Sequence, residues 1–192
     1  MRRFSFKPSL TLKGRKFKGL RGFAGKPFHP PMTDIAIGGF MLAALFDVIS
    51  AVGSANGWAH DFYRAATFSL AVGLVGAALS AVTGFFDWQQ STEIGTQARR
   101  TVNAHAVTMI ATTTFAIIGF LLRTLAFGDD LSTPGVVLVL SLIVAGLTIL
   151  GGTIGGSLAF DYGFNVETAG DHPVWHKSEE DYFHGDPEPS AD

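Results

Sequence analysis

Residues 29–53 read HPPMTDIAIGGFMLAALFDVISAVG. From Ile35 to Gly53 every residue is apolar or small except Asp47, and a helix of this length, rising about 1.5 Å per residue, can cross a bilayer. A His-Pro-Pro sequence and Asp34 come before this run, so polar groups lie where the helix would leave the lipid. The stretch therefore predicts a first transmembrane helix, around which the others are arranged.

Three further apolar runs have the length of a membrane span. They cover residues 65–86, 104–122 and 135–160, and none contains an acidic or basic residue other than one histidine. A soluble core does not explain four such runs in a chain of 192 residues with only 16% charged residues. We therefore expect an all-α fold, an integral membrane four-helix bundle with up-down-up-down topology.

Small residues recur every four positions within the predicted helices. In lipid, helices associate through the close backbone approach that such residues permit. We expect these positions to face neighbouring helices. They are Gly39 and Ala43 in the first helix, Gly76, Ser80 and Gly84 in the second, and Gly151, Gly152, Gly155 and Gly156 in the fourth.

Tails of opposite charge flank the predicted membrane domain. Residues 1–28 form a basic N-terminal tail, residues 29–163 the four-helix domain, and residues 164–192 an acidic C-terminal tail. The basic tail fits an anchor on anionic lipid, although a transit peptide or an RNA-binding arm has a similar composition. It runs directly into a helix, so we expect the lipid bilayer and no nucleic acid as its partner. A cleaved signal peptide is not expected, because the apolar run is too long and contains Asp47.

The distribution of basic residues predicts the orientation. The link between the second and third helices carries Arg99 and Arg100, whereas the link before the fourth carries Asp129 and Asp130 and no base. Loops rich in Lys and Arg stay in the cytoplasm. We therefore expect a multi-pass protein of the bacterial inner membrane with both termini cytoplasmic.

Several kinds of chemistry are excluded or only weakly indicated. The chain has no Cys, which excludes disulfides, c-type haem attachment and thiolate ligation of zinc or iron–sulfur clusters within it. It shows no nucleophile–base motif and no phosphate loop, so the sequence favours a role other than that of an enzyme. His172, His176 and His184 in the acidic tail are a weak hint of metal binding, against which Pro173 argues.

Five ionisable residues are predicted to lie at the cytoplasmic boundary of the helices. Because the first and third helices are diagonal neighbours in such a bundle, His29 and His105 could hold a b-type haem or a metal between them, or contact a quinone. The alternative is purely structural, with aspartates capping helices and histidines bonding to them. The five residues are His29, His105 and a polar cluster of Asp34, Asp87 and Asp161.

Two charges lie deeper in the membrane. Asp47 follows His29 by 18 residues, and Arg123 follows His105 by the same interval. In parallel helices of similar tilt, equal offsets place both charges at one depth near the outer face. An unpaired charge in lipid costs several kcal/mol, so we expect Asp47 and Arg123 to form a buried ion pair, with Arg64 as a competing partner.

The motifs of the membrane domain resemble a known family. HPPMTDIAIGGFMLAALFD, AVTGFFDW, ARRTVNAHAVTM and GGTIGGSLAFDYGFNV together are similar to an uncharacterised family of four-helix bacterial membrane proteins, domain of unknown function 2231. Many members carry a second histidine where this chain has Asp34. Some are fused to a Rieske iron–sulfur domain, which implies a redox neighbourhood. Since this chain has no Cys, such a partner would be a separate membrane redox protein.

Three functions remain open. The first is an accessory or electron-transfer component of a membrane redox system, with haem or quinone at His29 and His105. The second is a non-catalytic scaffold or assembly subunit that recruits a partner through its charged tails, which could also contact one another. A small transporter is the least supported, because no helix is broken by Pro at mid-membrane and no ionisable residue lies there.

Overall fold

Four helices account for almost all of the part of the chain that the structure describes. The structure is a computed structural model and describes residues 19–20, 27–53 and 56–164. The tails predicted over residues 1–28 and 164–192, their mutual contact and the tail histidines lie almost wholly outside these ranges. The helices are α1 (His29–Val52), α2 (Trp58–Ser91), α3 (Gln97–Leu125) and α4 (Gly135–Phe160).

Local sequence explains where the helices begin and end. Prolines occupy the first turn of α1, where their missing N–H groups have no helical partner to lose. The Thr96 side chain accepts a hydrogen bond from the backbone N–H of Arg99 and so caps α3. Gly95, at φ +88°, makes the turn between α2 and α3, a conformation that favours glycine.

The helices form two hairpins packed side by side. α1 packs most extensively on α2, and α3 on α4, while α4 also contacts α1 and α2 contacts α3. This order places α1 and α3 on one diagonal. The predicted all-α bundle with up-down-up-down topology is confirmed. All four helices are long and apolar enough to span a membrane, with lengths of 24 to 34 residues.

Glycines permit the close contact within the first hairpin. A Cβ atom added to Gly39 would lie 2.5 Å from the Cα atom of Gly73, and one added to Gly76 would lie 2.7 Å from the backbone N of Ala36. Backbones this close leave no room for a side chain. The expectation that Gly39 and Gly76 face a neighbouring helix is confirmed.

The core is small and made mostly of small residues around one aromatic ring. Phe40 is 1% exposed and is the largest apolar side chain among the fully buried ones of the described residues. Most larger apolar side chains point outward, as a helix bundle in lipid requires. The remaining buried members of this core cluster are Ala36, Ala43, Leu70, Ala77, Ala116 and Val144.

Candidate functional site

Polar side chains gather at two levels of the bundle. We call the level where α1 and α3 begin and α2 and α4 end the histidine end, because His29 and His105 lie there. The opposite level is the ion-pair end, because Asp47 and Arg123 lie there. The apolar core cluster separates the two.

At the ion-pair end the structure brings Asp47 and Arg123 together. The guanidinium of Arg123 forms a salt bridge with the carboxylate of Asp47, and the two side chains are 1% and 0% exposed. Arg64, the competing partner considered from the sequence, is exposed. Removal of both charges from solvent requires that each be neutralised and hydrogen-bonded.

Hydroxyl groups from three other segments complete this pair. Thr133, in the loop before α4, donates to Asp47 Oδ1 at 2.9 Å. Ser141 of α4 donates to Asp47 Oδ2 and accepts from Arg123 Nη2 at 3.0 Å. Thr67 of α2 accepts from Arg123 Nη1 at 3.4 Å. The network therefore joins all four helices at one point.

Further contacts support this network from outside. Ser50 accepts from the backbone N–H of Thr133 at 3.0 Å and donates to the Ala59 carbonyl at 2.7 Å. The Tyr63 ring centroid lies 5.3 Å from the Arg123 guanidinium carbon. Both Asp47 oxygens are occupied by donors from this chain, so the arrangement serves cohesion and offers no carboxylate position to a ligand.

Sequence reasoning missed the hydroxyls of this network. Ser141 stands in an otherwise apolar run of α4, and a lone serine in such a run is a usable signal because polar groups in lipid seek a partner. Thr133 gives no such signal, since it lies in a polar loop. Only the fold brings this loop against Asp47.

At the histidine end each imidazole donates a hydrogen bond through Nδ1. His105 Nδ1 lies 2.9 Å from the Gly151 carbonyl, which can only accept. His29 Nδ1 lies 3.0 Å from the Thr83 hydroxyl oxygen. That hydroxyl directs its proton to the Leu79 carbonyl at 3.0 Å, so its oxygen accepts from His29.

These bonds fix the tautomer of both histidines. With the proton on Nδ1, a neutral imidazole carries a free lone pair on Nε2. A metal-ligating histidine typically has this arrangement, with its second ring N–H donated to a carbonyl or another acceptor. The two Nε2 atoms are therefore the groups that could bind a metal centre.

Glycines on the following helices make room for both rings. A Cβ atom on Gly84 would lie 2.8 Å from His29 Cε1, and one on Gly155 would lie 3.1 Å from His105 Cε1. The two imidazoles are close enough for a charge on His105 to act on His29. Gly84 and Gly155, which the sequence assigned only to helix packing, are thus contact residues of the histidines.

The predicted aspartate cluster is not brought together. Asp87 is 4% exposed and accepts from the backbone N–H of Leu20 at 3.3 Å. Asp34 and Asp161 are exposed, and among the described residues no hydrogen bond or ion pair joins any two of the three. The shared level inferred from the sequence does not imply a shared face, because a helix turns 100° per residue.

The histidine end offers two nitrogen donors rather than a closed metal cage. Across residues 27–53 and 56–164, no group of three or more His, Asp or Glu side chains could hold a metal ion. Two axial imidazoles suit a planar cofactor that supplies its own four equatorial ligands.

Comparison with known proteins gives one match. Residues 25–168 match the model of a family described as predicted membrane protein (DUF2231). No curated protein and no solved structure matches the chain.

Proposed function

We propose, for a chain that belongs to the DUF2231 family of predicted membrane proteins, a role as a haem-carrying electron-transfer component of a membrane redox system. His29 Nε2 and His105 Nε2 would be the axial ligands. A haem iron held by two imidazoles has no free coordination position, so it cycles between the ferrous and ferric states and passes single electrons. The absence of Cys is in keeping with a b-type haem.

The observation that carries this proposal is the matched hydrogen bonding of the two imidazoles. Both Nδ1 atoms donate to acceptors on the neighbouring helix, at 3.0 Å and 2.9 Å. Such bonds orient the rings, keep Nε2 unprotonated and raise its basicity toward a metal. Two histidines on diagonal helices at one end of the bundle are also what axial ligation across a helix bundle requires.

A quinone site is less well supported by the same geometry. A quinone carbonyl needs a hydrogen-bond donor, and Nε2 of an Nδ1-protonated imidazole has no proton to give. These atoms could accept only from the hydroxyl groups of the reduced quinol.

We further propose that the histidine end faces the cytoplasm. Arg99 and Arg100 lie at this end, whereas the loop at the ion-pair end carries Asp129 and Asp130. Arg99 is anchored there by a 2.8 Å bond from its Nη1 to the Trp88 carbonyl and by a contact with the Trp88 ring. A redox partner would then approach from the cytoplasmic side or within the membrane.

A non-catalytic scaffold is the second candidate. It is favoured by the closed ion-pair network, which makes the bundle rigid without leaving a position for a ligand. In that case the histidine bonds to Thr83 and Gly151 would serve only to join helices.

A reduced-minus-oxidised absorbance spectrum of the full chain, expressed with haem precursor and purified in mild detergent, tests the proposal. We expect a reducible Soret band that His105→Ala abolishes and His29→Ala abolishes or weakens. His60→Ala is the matched control, because His60 also donates through Nδ1 to a carbonyl, that of Asp130, but at the ion-pair end. A colourless wild-type protein, or an unchanged band in His105→Ala, would leave the scaffold as the better description.

A further inference from the structure

The two histidines occupy equivalent positions in two similar hairpins. An added Cβ on Gly84 would approach Cε1, Nδ1 and Nε2 of His29 in that order, at 2.8, 3.2 and 3.4 Å. An added Cβ on Gly155 would approach the same atoms of His105 in the same order, at 3.1, 3.3 and 3.9 Å. α1 thus stands on α2 at this end as α3 stands on α4.

The same register extends along the first helix of each hairpin. His105 follows His29 by 76 residues, and this single offset converts buried positions of α1 into buried positions of α3. It also converts Asp47 into Arg123. The other equivalent pairs are Ala36 and Thr112, Phe40 and Ala116, and Ala43 and Gly119.

The second helices agree with one another in the same way. The offset between Gly84 and Gly155 is 71 residues, and the five-residue difference from 76 falls in the connections at the ion-pair end. This offset relates the following pairs, all of them buried: Ala66 and Val137, Leu70 and Ser141, Gly73 and Val144, Ala77 and Thr148, and Asp87 and Leu158.

A small cavity in the bundle centre gives independent support. Helical periodicity alone would align some buried positions, but it would not bring equivalent residues to one point. Three equivalent pairs line this single cavity, namely Phe40 with Ala116, Ala43 with Gly119, and Leu70 with Ser141. The cavity therefore lies on a pseudo-two-fold axis that runs along the helices, as between parallel repeats of some transporters.

We infer that the bundle consists of two copies of one helical hairpin, and that Asp47 and Arg123 decide which hairpin pairs with which. The two residues face each other at equivalent positions, so the pseudo-symmetry is broken by opposite charge. Two copies of the first hairpin would place Asp47 against Asp47, and two copies of the second would place Arg123 against Arg123. Both arrangements bury like charges and are disfavoured, whereas the pairing within one chain is neutral.

The pair thus acts as a specificity determinant of the surface between hairpins. Apart from it, the described surface between the hairpins is built of small and apolar residues, which distinguish partners poorly. Exchange of hairpins between two chains is a known failure of such repeated architectures. The partner that this surface would accept without the charges is the corresponding hairpin of a second copy of this chain.

Two differently tagged copies of the full chain, co-expressed in one membrane, test the inference. The variant Asp47→Asn with Arg123→Gln keeps approximate volume and removes both charges. We expect at least a threefold higher fraction of the variant than of wild-type protein to co-purify with the other tag. An unchanged fraction would overturn the inference. Asp61→Asn with Arg64→Gln, which neutralises an exposed pair of side chains at the same end, is the matched control.

Charge reversal provides a second measurement that does not depend on neutral side chains. Asp47→Arg and Arg123→Asp, each expressed alone, bury like charges and should give little folded protein. Co-expressed, the two chains can exchange hairpins so that every Asp faces an Arg. We expect recovery of both chains in a 1:1 complex, at a yield several-fold above either alone. Equal yields alone and together would count against pairing by charge.

Discussion

Asp47 and Arg123 form a salt bridge that is buried inside the bundle, and each of them follows its histidine by 18 residues. A lone charge in this environment would carry a large desolvation cost, which the pair and its hydroxyl partners offset. The pair therefore belongs to the cohesion of the fold, and each charge is stabilising only in the presence of the other.

Asp47→Asn and Arg123→Gln should each lower the free energy of unfolding in detergent by about 3–5 kcal/mol, because each leaves the opposite charge buried and unpaired. The double variant should lose less than the sum of the two, by about 1–3 kcal/mol. Denaturation of the purified chain in mixed micelles measures all three. Arg64→Gln should change little, since Arg64 is exposed. Additive losses would show that Asp47 and Arg123 do not interact energetically.

Ser141→Ala tests the hydroxyl that touches both charges. Its Oγ donates to Asp47 and accepts from Arg123, so its loss leaves two buried groups short of a partner. We expect a destabilisation of about 1–3 kcal/mol in the same assay. Thr114→Ala is the control, because the Thr114 hydroxyl is exposed and bonds only to the Ile110 carbonyl of its own helix. Equal effects of both substitutions would contradict a special role for Ser141.

Much of the fold followed from the sequence, for a physical reason. Uncharged runs of membrane length allow only helices, and small residues at four-residue spacing mark the packed faces. The helices nevertheless extend beyond the apolar runs: α2 covers Trp58–Ser91 rather than residues 65–86. A helix continues into polar sequence until a turn residue stops it, so hydropathy marks the lipid-embedded part and not the helix.

The site was less predictable than the fold. The histidines stand out because ionisable groups are rare in the spans, and equal offsets bring Asp47 and Arg123 to one depth. The acceptors of the histidines cannot be read in the same way. Thr83 looks like any other hydroxyl bonded to its own helix, and the Gly151 carbonyl is a backbone group with no side-chain signature. Only the packing of neighbouring helices selects them.

Thr83→Val should lower haem retention if His29 is an axial ligand. The substitution keeps the shape of the side chain and removes the acceptor of His29 Nδ1, so the ring loses its fixed orientation and tautomer. Loss of such a partner weakens metal binding by roughly 10–100-fold. The haem-to-protein ratio after detergent washing measures the effect. Thr114→Val is the control, and equal ratios in both variants would argue against ligation by His29.

Two glycine substitutions of the same kind should act in opposite directions. Gly39→Ala should prevent stable folding or cost several kcal/mol, because its Cβ would lie 2.5 Å from the Gly73 Cα, and neither backbone can retreat. Gly119→Ala should stabilise the bundle by up to about 1 kcal/mol, the difference in helix propensity. Its Cβ would meet Leu140 Cβ at 3.9 Å and Leu70 Cδ2 at 4.0 Å, which are ordinary contacts. Thermal unfolding of the two variants in one detergent compares them directly, and a destabilised Gly119→Ala would show that the cavity is needed open.

Reporter fusions should place the histidine end in the cytoplasm. A reporter inserted at residues 93–96, between α2 and α3, and one after Asp192 should read cytoplasmic, because Arg99 and Arg100 retain this end on the positive side. A reporter in the loop before α4, at residues 129–133, should read external, since Asp129 and Asp130 do not oppose translocation. The variant Arg99→Gln with Arg100→Gln should reduce this bias, most clearly when the basic residues before α1 are also neutralised. An external reading at residues 93–96 in the wild-type chain would reverse the orientation and place the histidines at the outer face, where a redox partner would have to be sought.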